Sequence, residues 1–270
     1  MKVDFLDLKG KKKGKLDLPE IFSTPYRPDI IKRAVLAAQS ARRQKYGTDK
    51  MAGKRTSAHY HGSSHLPPDQ KMMHREMARL PREHGDTARF MRARLVPQTT
   101  GGRRAHPPKV EKKWIKNINK KERLLAIRSA IGGTGNSKLV ELRNHSFNLE
   151  LPIVVEDSIQ EMDKTKDFIE FLKNIGLGEE LERIRVKRSR SGKAKLRRGK
   201  FKKRIGPLLV IEKDDGILKA AKNVSGVDVV NFRNLNAEVL SPGSHGIRLT
   251  IWTKSAIEKI GELNGKENKE

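Results

Sequence analysis

Arginine is the residue type whose placement in this sequence promises chemistry. In Gly101-Gly102-Arg103-Arg104-Ala105-His106-Pro107-Pro108, paired arginines follow paired glycines and precede a histidine and paired prolines. A guanidinium presents a planar fork of donors that grips phosphate bidentately and stacks on bases. Glycine lets a backbone approach a ligand closely, and proline holds an extended path. Around this motif, residues 47–107 hold nine Arg and three Lys against five Asp or Glu. A second run, Arg183 to Arg204, holds thirteen basic residues and no acid. The chemistry these patterns offer is counter-charge for a polyanion.

The candidate anion-contacting residues fall in three groups. Arg42, Arg43 and Lys45 close the first predicted helix. The long segment contributes Lys50, Lys54, Arg55, His59, His61, Arg75, Arg79, Arg82, Arg92, Arg94, Arg103, Arg104 and His106, with Lys109 just beyond it. The second run contributes Arg188, Arg190, Lys193, Lys195, Arg197, Arg198, Lys200, Lys202, Lys203 and Arg204.

Other chemistries fit less well. His59, His61 and His65 are close in sequence, but a metal needs three or four convergent ligands. Protonation and stacking on unpaired RNA bases suits them better. The run Ile131 to Lys138, IGGTGNSK, lacks the spacing of a phosphate-binding loop and follows a helix rather than a strand. It reads as a helix end and connector. Asp214 and Asp215 form a carboxylate pair without a partner histidine, and a surface turn before Gly216 explains them. No cofactor, no metal and no catalytic residue is expected. The rival reading is an RNA-modifying enzyme with a basic docking arm, which would need a pocket at the strand ends with carboxylates such as Asp214.

The bulk properties agree with a polyanion partner. The 270-residue chain carries a formal net charge of +27, and only 35% of it is apolar. A free globule so charged repels itself, and nucleic acid supplies one negative charge per phosphate. There is no cysteine, which fits a reducing, cytoplasmic setting. The N-terminus lacks the apolar core of a secretory signal, and no run approaches the roughly 20 apolar residues of a membrane span. No membrane contact and no homo-oligomer is expected.

The elements that must position these cations follow from periodicity. Val3 to Leu8 reads as a strand and Pro28 to Tyr46 as a helix, its apolar stripe running from Ile30 to Ala41. The cations Arg42, Arg43 and Lys45 would load its last turn, with Gly47 as the stop. Residues 47–107 contain only four Leu, Ile or Val, so nothing there is expected to bury itself, apart from a short helix over 70–80 with Met72, Met73 and Met77 on one side. Asn119 with Glu122 reads as a capping box opening a helix to about residue 132. Four short apolar runs, 151–155, 206–211, 226–232 and 246–253, alternate with helical candidates at 164–175, 217–222, near 235, and at 255–263. That alternation predicts an α/β fold: one mostly parallel sheet of about four strands, flanked by helices. The expected organisation is a single α/β domain over 1–270, with 47–107 inserted as a long extended loop and 183–204 as a basic arm. Both cationic segments are expected to be disordered until RNA supplies their counter-charge.

The same residues carry a resemblance. GGRRAHPPKVEKKWIKNINKKERLLAIRSAI, residues 101–131, resembles the signature of the L-four family of large-subunit ribosomal proteins, in its archaeal and eukaryotic branch. So do FSTPYRPDIIKRAVLAAQSARRQKYGTD at 22–49 and the stretch from Gly206 to Ile257, in order along the chain. The middle, 56–96, is richer in His and Met than the family's Gly-Arg pattern. The resemblance implies a non-catalytic α/β domain on the large subunit, docked on ribosomal RNA beside neighbouring large-subunit proteins. It implies a loop, 47–107, that threads into RNA and reaches the nascent chain at the peptide exit tunnel, with Arg103, Arg104 and His106 in the matching motif.

Overall fold

The structure is a computed structural model, and it describes residues 2–62, 65–68, 71–72, 76–83 and 91–267, with side chains to 261 at the C-terminal end. The chain divides into two compact units, Met1–Ala41 with Lys116–Glu270, and Arg42–Ile115. In chain order the first unit contains β1 (Lys2–Leu6), β2 (Lys12–Asp17), α1 (Pro28–Ala41), α2 (Lys120–Gly133), α3 (Ser137–Glu141), β3 (Ile153–Val155), α4 (Thr165–Asn174) and α5 (Gly178–Arg185). It continues with β4 (Arg188–Ser189), α6 (Ala194–Arg198), β5 (Phe201–Lys202), β6 (Leu208–Ile211), α7 (Ile217–Lys222), β7 (Asp228–Asn231), α8 (Ala237–Leu240), β8 (Thr250–Thr253) and α9 (Lys254–Glu267).

The main sheet has the order β2-β1-β3-β8-β6-β7, parallel throughout except for the antiparallel β1–β2 pair. Register places Val154 beside both Phe5 and Trp252, and Val210 beside both Trp252 and Val230. β3, β6 and β8 are buried at every position. Strands covered on both faces read as unbroken apolar runs, which is why these are visible in the sequence. The α/β class holds, but the sheet has six strands rather than about four. β1 and β2 add an edge, and β2, KKGKLD, looks in the sequence like no more than a lysine cluster. Lysine-rich strands suit an exposed edge because they discourage pairing with another chain. Lys12 pairs with Asp4 at 2.7 Å across that hairpin.

The helices flank the sheet. α1, α2 and α8 pack together, α4 packs on α5 and α7, and α9 lies on β6 and β8. The core joins Ile31, Val154, Phe168, Phe171, Leu172, Leu208 and Trp252, among others. Trp252 meets Phe22 edge to face at 5.4 Å between centroids. Gly132 permits a close approach: a side chain there would run into the Thr24 carbonyl.

Two helix ends differ from what the sequence pattern predicts. α1 stops at Ala41 with no basic residue in its last turn, so Arg42, Arg43 and Lys45 lie beyond the helix and gain nothing from its dipole. At α2, Asn119 occupies the capping position in an extended conformation but makes no side-chain capping bond. Glu122 instead pairs with Arg33 at 2.7 Å, a tertiary ion pair that takes the carboxylate a capping box would need.

Replacing Trp252 by Ala is expected to cost about 3–5 kcal/mol, the range for removing a buried large aromatic. Urea unfolding measures it. A loss below about 0.5 kcal/mol, the level of a surface change, would be inconsistent with its central position.

Candidate nucleic-acid interface

In the unit Arg42–Ile115 the two ends of the segment are tied together. The Thr48 amide donates to the Pro108 carbonyl at 3.1 Å, and Lys50 pairs with Glu111 at 2.7 Å. Gly53, with φ of 74°, lies against the Arg103 backbone, and Gly102 lies against the Val96 carbonyl. Within the protein, the close approach that these glycines allow is to the loop's own backbone.

This unit has an interior, contrary to expectation. Met72, Met91, His61 and Arg82 are buried. His59 and Arg82 exchange backbone hydrogen bonds at 3.2 and 2.9 Å. The Arg82 guanidinium donates to Met91 O and Ala78 O, both at 2.9 Å, and its Nε donates to Met72 Sδ at 3.1 Å. His61 stacks on His59 at 4.4 Å. A search for Leu, Ile and Val misses such a centre, because it is built from methionine and from carbonyls gathered around one cation. Arg82 and His61, expected from the sequence to face RNA, therefore point inward. The expected helix over 70–80 lies partly outside the described residues, and its described positions are not helical. Arg75 lies outside them as well.

The remaining cations of the segment face solvent in graded fashion. Arg42, Arg43, Lys45, Lys50, Lys54, Arg55, His59, Arg79, Arg92, Arg104, His106 and Lys109 are exposed, and Arg94 and Arg103 are half-buried. Arg94 is held by Glu83 at 3.5 Å. Arg43 lies 4.3 Å from the Trp114 ring centroid, with Tyr46 5.0 Å from the same ring.

In the first unit the basic arm forms a hairpin. β4 and β5 pair antiparallel, Arg188 beside Lys202, and α6 sits between them with none of its residues buried. Lys193, Lys195, Arg197, Arg198, Lys200, Lys202, Lys203 and Arg188 are exposed, while Arg190 and Arg204 are half-buried. A two-stranded hairpin alone is marginal in water, and this one has no apolar layer beneath it.

The arm's root is a buried charge network that the sequence pattern does not reveal. Glu180 is fully buried and takes both Nε and Nη2 of Arg183 at 2.6 Å. His145 Nδ1 donates to Glu180 Oε1 at 2.7 Å, and the Arg183 guanidinium also reaches the Ile205 carbonyl at 2.7 Å. Burial pushes the His145 pKa down, the nearby Arg183 and Arg143 charges add to this, and Glu180 opposes it without prevailing. For Glu180 burial pushes upward, but bonds from Arg183 and His145 hold the carboxyl below its usual range. Beside them Arg248 lies buried, donating to the Gly206 and Gly226 carbonyls at 2.6 and 3.0 Å and pairing with Asp228 at 2.7 Å.

A cleft of about 590 Å³ opens here, lined by Arg143, Arg183, Arg188, Lys202, Lys203, Arg204 and His245. Arg143 has no carboxylate partner among the described residues and donates only to the Pro242 and His245 carbonyls. Burial, then the charges of Arg248 and Arg183, lower its pKa. An uncompensated cation in a cleft walled by cations has the charge and the donors that a phosphate group requires.

The features of the enzyme reading resolve differently. Asp214 accepts from the Gly216 and Leu218 amides at 3.3 and 3.1 Å, so it closes a turn into α7. A cleft of about 390 Å³ near α1, α2 and residues 232–238 has Glu238 as its only carboxylate. Among the described residues no group of three His, Asp or Glu is placed to hold a metal, and no described helix is long and apolar enough to cross a membrane.

The profile of the Ribosomal protein L4/L1 family matches residues 16–263. The chain belongs to that family. Similarity to individual members is nearly end to end. The chain is 47% identical over 265 residues to the large ribosomal subunit protein uL4 of Methanosphaera stadtmanae, covering 97% of each. It is 47% identical over 263 residues to the uL4 of Archaeoglobus fulgidus, covering 97% of this chain and 99% of the relative. For the uL4 of Methanococcoides burtonii the figures are 45% over 258 residues, with 95% and 96% covered. The resemblance read from residues 101–131 is thereby placed in the archaeal branch, and the family's structural role leaves no place for the enzyme alternative.

The charge network has a pH signature. The His145 pKa is depressed on folding, so on acidification below about 6.5 the unfolded chain takes up the proton first and stability falls. Glu180 is depressed too, and its contribution is lost at still lower pH, as the carboxylate protonates. Urea midpoints of the wild type should therefore drop between about pH 7 and 5.5, and His145→Gln should flatten that part of the curve. A wild-type midpoint that rose on acidification would contradict a neutral His145.

Proposed function

We propose that this chain is a structural constituent of the large ribosomal subunit that binds large-subunit rRNA through two cationic projections, the loop 47–107 and the arm 183–204. The single observation that carries this reading is the chain-long identity to large-subunit proteins. The disposition of charge supports it. Residues 42–115 hold 18 Lys or Arg against 6 Asp or Glu, and 183–204 holds 13 against none, so these stretches account for 25 of the 27 net charges.

On this reading the α/β domain docks at the particle surface, beside other large-subunit proteins. The exposed arginines and lysines of the loop and arm, with the Arg143 cleft at the arm's root, neutralise phosphates. The loop continues toward the peptide exit tunnel, where it meets the nascent chain. The protein works in the cytoplasm as part of the ribosome, needs no cofactor, and does not self-associate.

Affinity for large-subunit rRNA should fall steeply with salt. Arg103→Ala with Arg104→Ala should reduce the slope of log affinity against log salt by about 0.7–0.9 for each phosphate the variant no longer engages. Filter binding across a salt series measures this, and an unchanged slope would remove both arginines from the interface. Deleting 56–96 should leave the α/β domain cooperatively folded in thermal unfolding. A non-cooperative melt would make the loop part of the core.

A further inference from the structure

We propose that the cleft walled by Tyr46, Trp114, Pro107 and Pro108 is a slot for one unpaired nucleobase, an inference that rests on the RNA-binding function above and names a subsite within it. The cleft, about 720 Å³, lies wholly within the unit Arg42–Ile115. Neither aromatic figured among the RNA-contacting residues expected from the sequence.

Aromatic side chains are scarce here, 5% of the chain, and most large ones serve the core. Tyr46 instead leaves 51% of its surface exposed. It is held in place from one side: its ring sits 5.0 Å from that of Trp114, tilted by 32°. The Arg43 guanidinium rests 4.3 Å from the Trp114 centroid, and Lys112 Nζ is 4.9 Å from it. An aromatic pair fixed by cations before any ligand arrives has little rotamer freedom left to lose on binding. Trp114 Nε1 is shielded from solvent and has no acceptor among the described residues, so the ring presents its face rather than its polar edge.

The rim selects the ligand. Arg104, Lys109 and Lys112 line the cleft, and its one carboxylate, Glu111, is occupied by Lys50 at 2.7 Å. The occupant must therefore combine a flat π-face with attached negative charge. A nucleotide in a single-stranded stretch has both, whereas in a duplex the base is stacked and inaccessible.

Trp114 fluorescence reads the slot directly, because the other tryptophan, Trp252, is completely buried. The full-length protein is titrated with a short single-stranded oligoadenylate, with the same strand annealed into a duplex, and with an abasic ribose-phosphate oligomer of equal length. Quenching by the single strand alone is expected. Tyr46→Ala should weaken oligoadenylate binding about ten-fold at every salt concentration without changing the salt slope, since a stacking contact carries no phosphate charge. Tyr46→Phe should bind like the wild type, and circular dichroism verifies that both variants are folded. Equal quenching by duplex or abasic oligomer would overturn the proposal, as would wild-type affinity in Tyr46→Ala. So would quenching by an acidic polyglutamate peptide but not by RNA, which would assign the cleft to a protein partner. If Tyr46→Ala is silent while large-subunit rRNA still binds with a steep salt slope, only the slot fails. If the wild type binds no RNA at all, the broader function fails with it.

Discussion

Segregation of charge is the constraint on which the rest of this structure depends. Two stretches hold 25 of the 27 net charges, 12 in residues 42–115 and 13 in residues 183–204, leaving the other 174 residues almost neutral. That near-neutral remainder builds a sheet and its helices by ordinary apolar burial. The cationic stretches cannot do the same, because bringing their charges together without counter-ions raises electrostatic energy faster than their few apolar groups lower it. On the proposed function, a phosphate backbone supplies the negative charge that balances them.

The two interiors show what each composition permits. The α/β unit closes around Trp252, Phe168 and the aliphatic residues of β3, β6 and β8. The smaller unit closes around Arg82, whose donors are satisfied by two carbonyls and a thioether. An arginine can organise backbone in this way only because its donors are numerous and diverge in a plane. A single guanidinium among methionines buries far less apolar surface than the aliphatic core of the first unit.

Legibility in the sequence follows the same division. The buried parallel strands, α7 at 217–222 and the α2 segment are legible because uniform burial and 3.6-residue periodicity leave direct traces. The edge strand β2 is not, since its exposed lysines are indistinguishable from a charge cluster. The end of α1 comes earlier than its pattern suggests, and beyond it Arg43 and Tyr46 contact Trp114, a residue too distant in sequence for periodicity to reveal. The inward turn of Arg82 and His61 is invisible for a related reason: composition identifies a cation but not whether its donors point to solvent or to a carbonyl. Arg143, Arg248 and His145 leave no local signal, because their contacts join residues far apart in sequence; the Glu180–Arg183 pair lies at i,i+3 within α5, but its burial cannot be read from that spacing.

Both projections share one construction. At the root of the arm, Arg183 is bidentate to the buried Glu180 and also holds the Ile205 carbonyl, so one guanidinium fixes both ends of the cationic run. At the root of the loop, the Thr48–Pro108 hydrogen bond and the Lys50–Glu111 pair join the outgoing and returning chain. In each case a compensated pair lies at the start of the cationic run, Arg183 with Glu180 and Lys50 with Glu111. On the proposed function, the exposed cations farther out meet a polyanion from chain ends already tied together, which reduces the conformational entropy lost when they order on it. The few acids retained in these basic stretches and their flanks, Glu180 and Glu111 foremost, thus act as anchors that orient positive charge rather than cancel it.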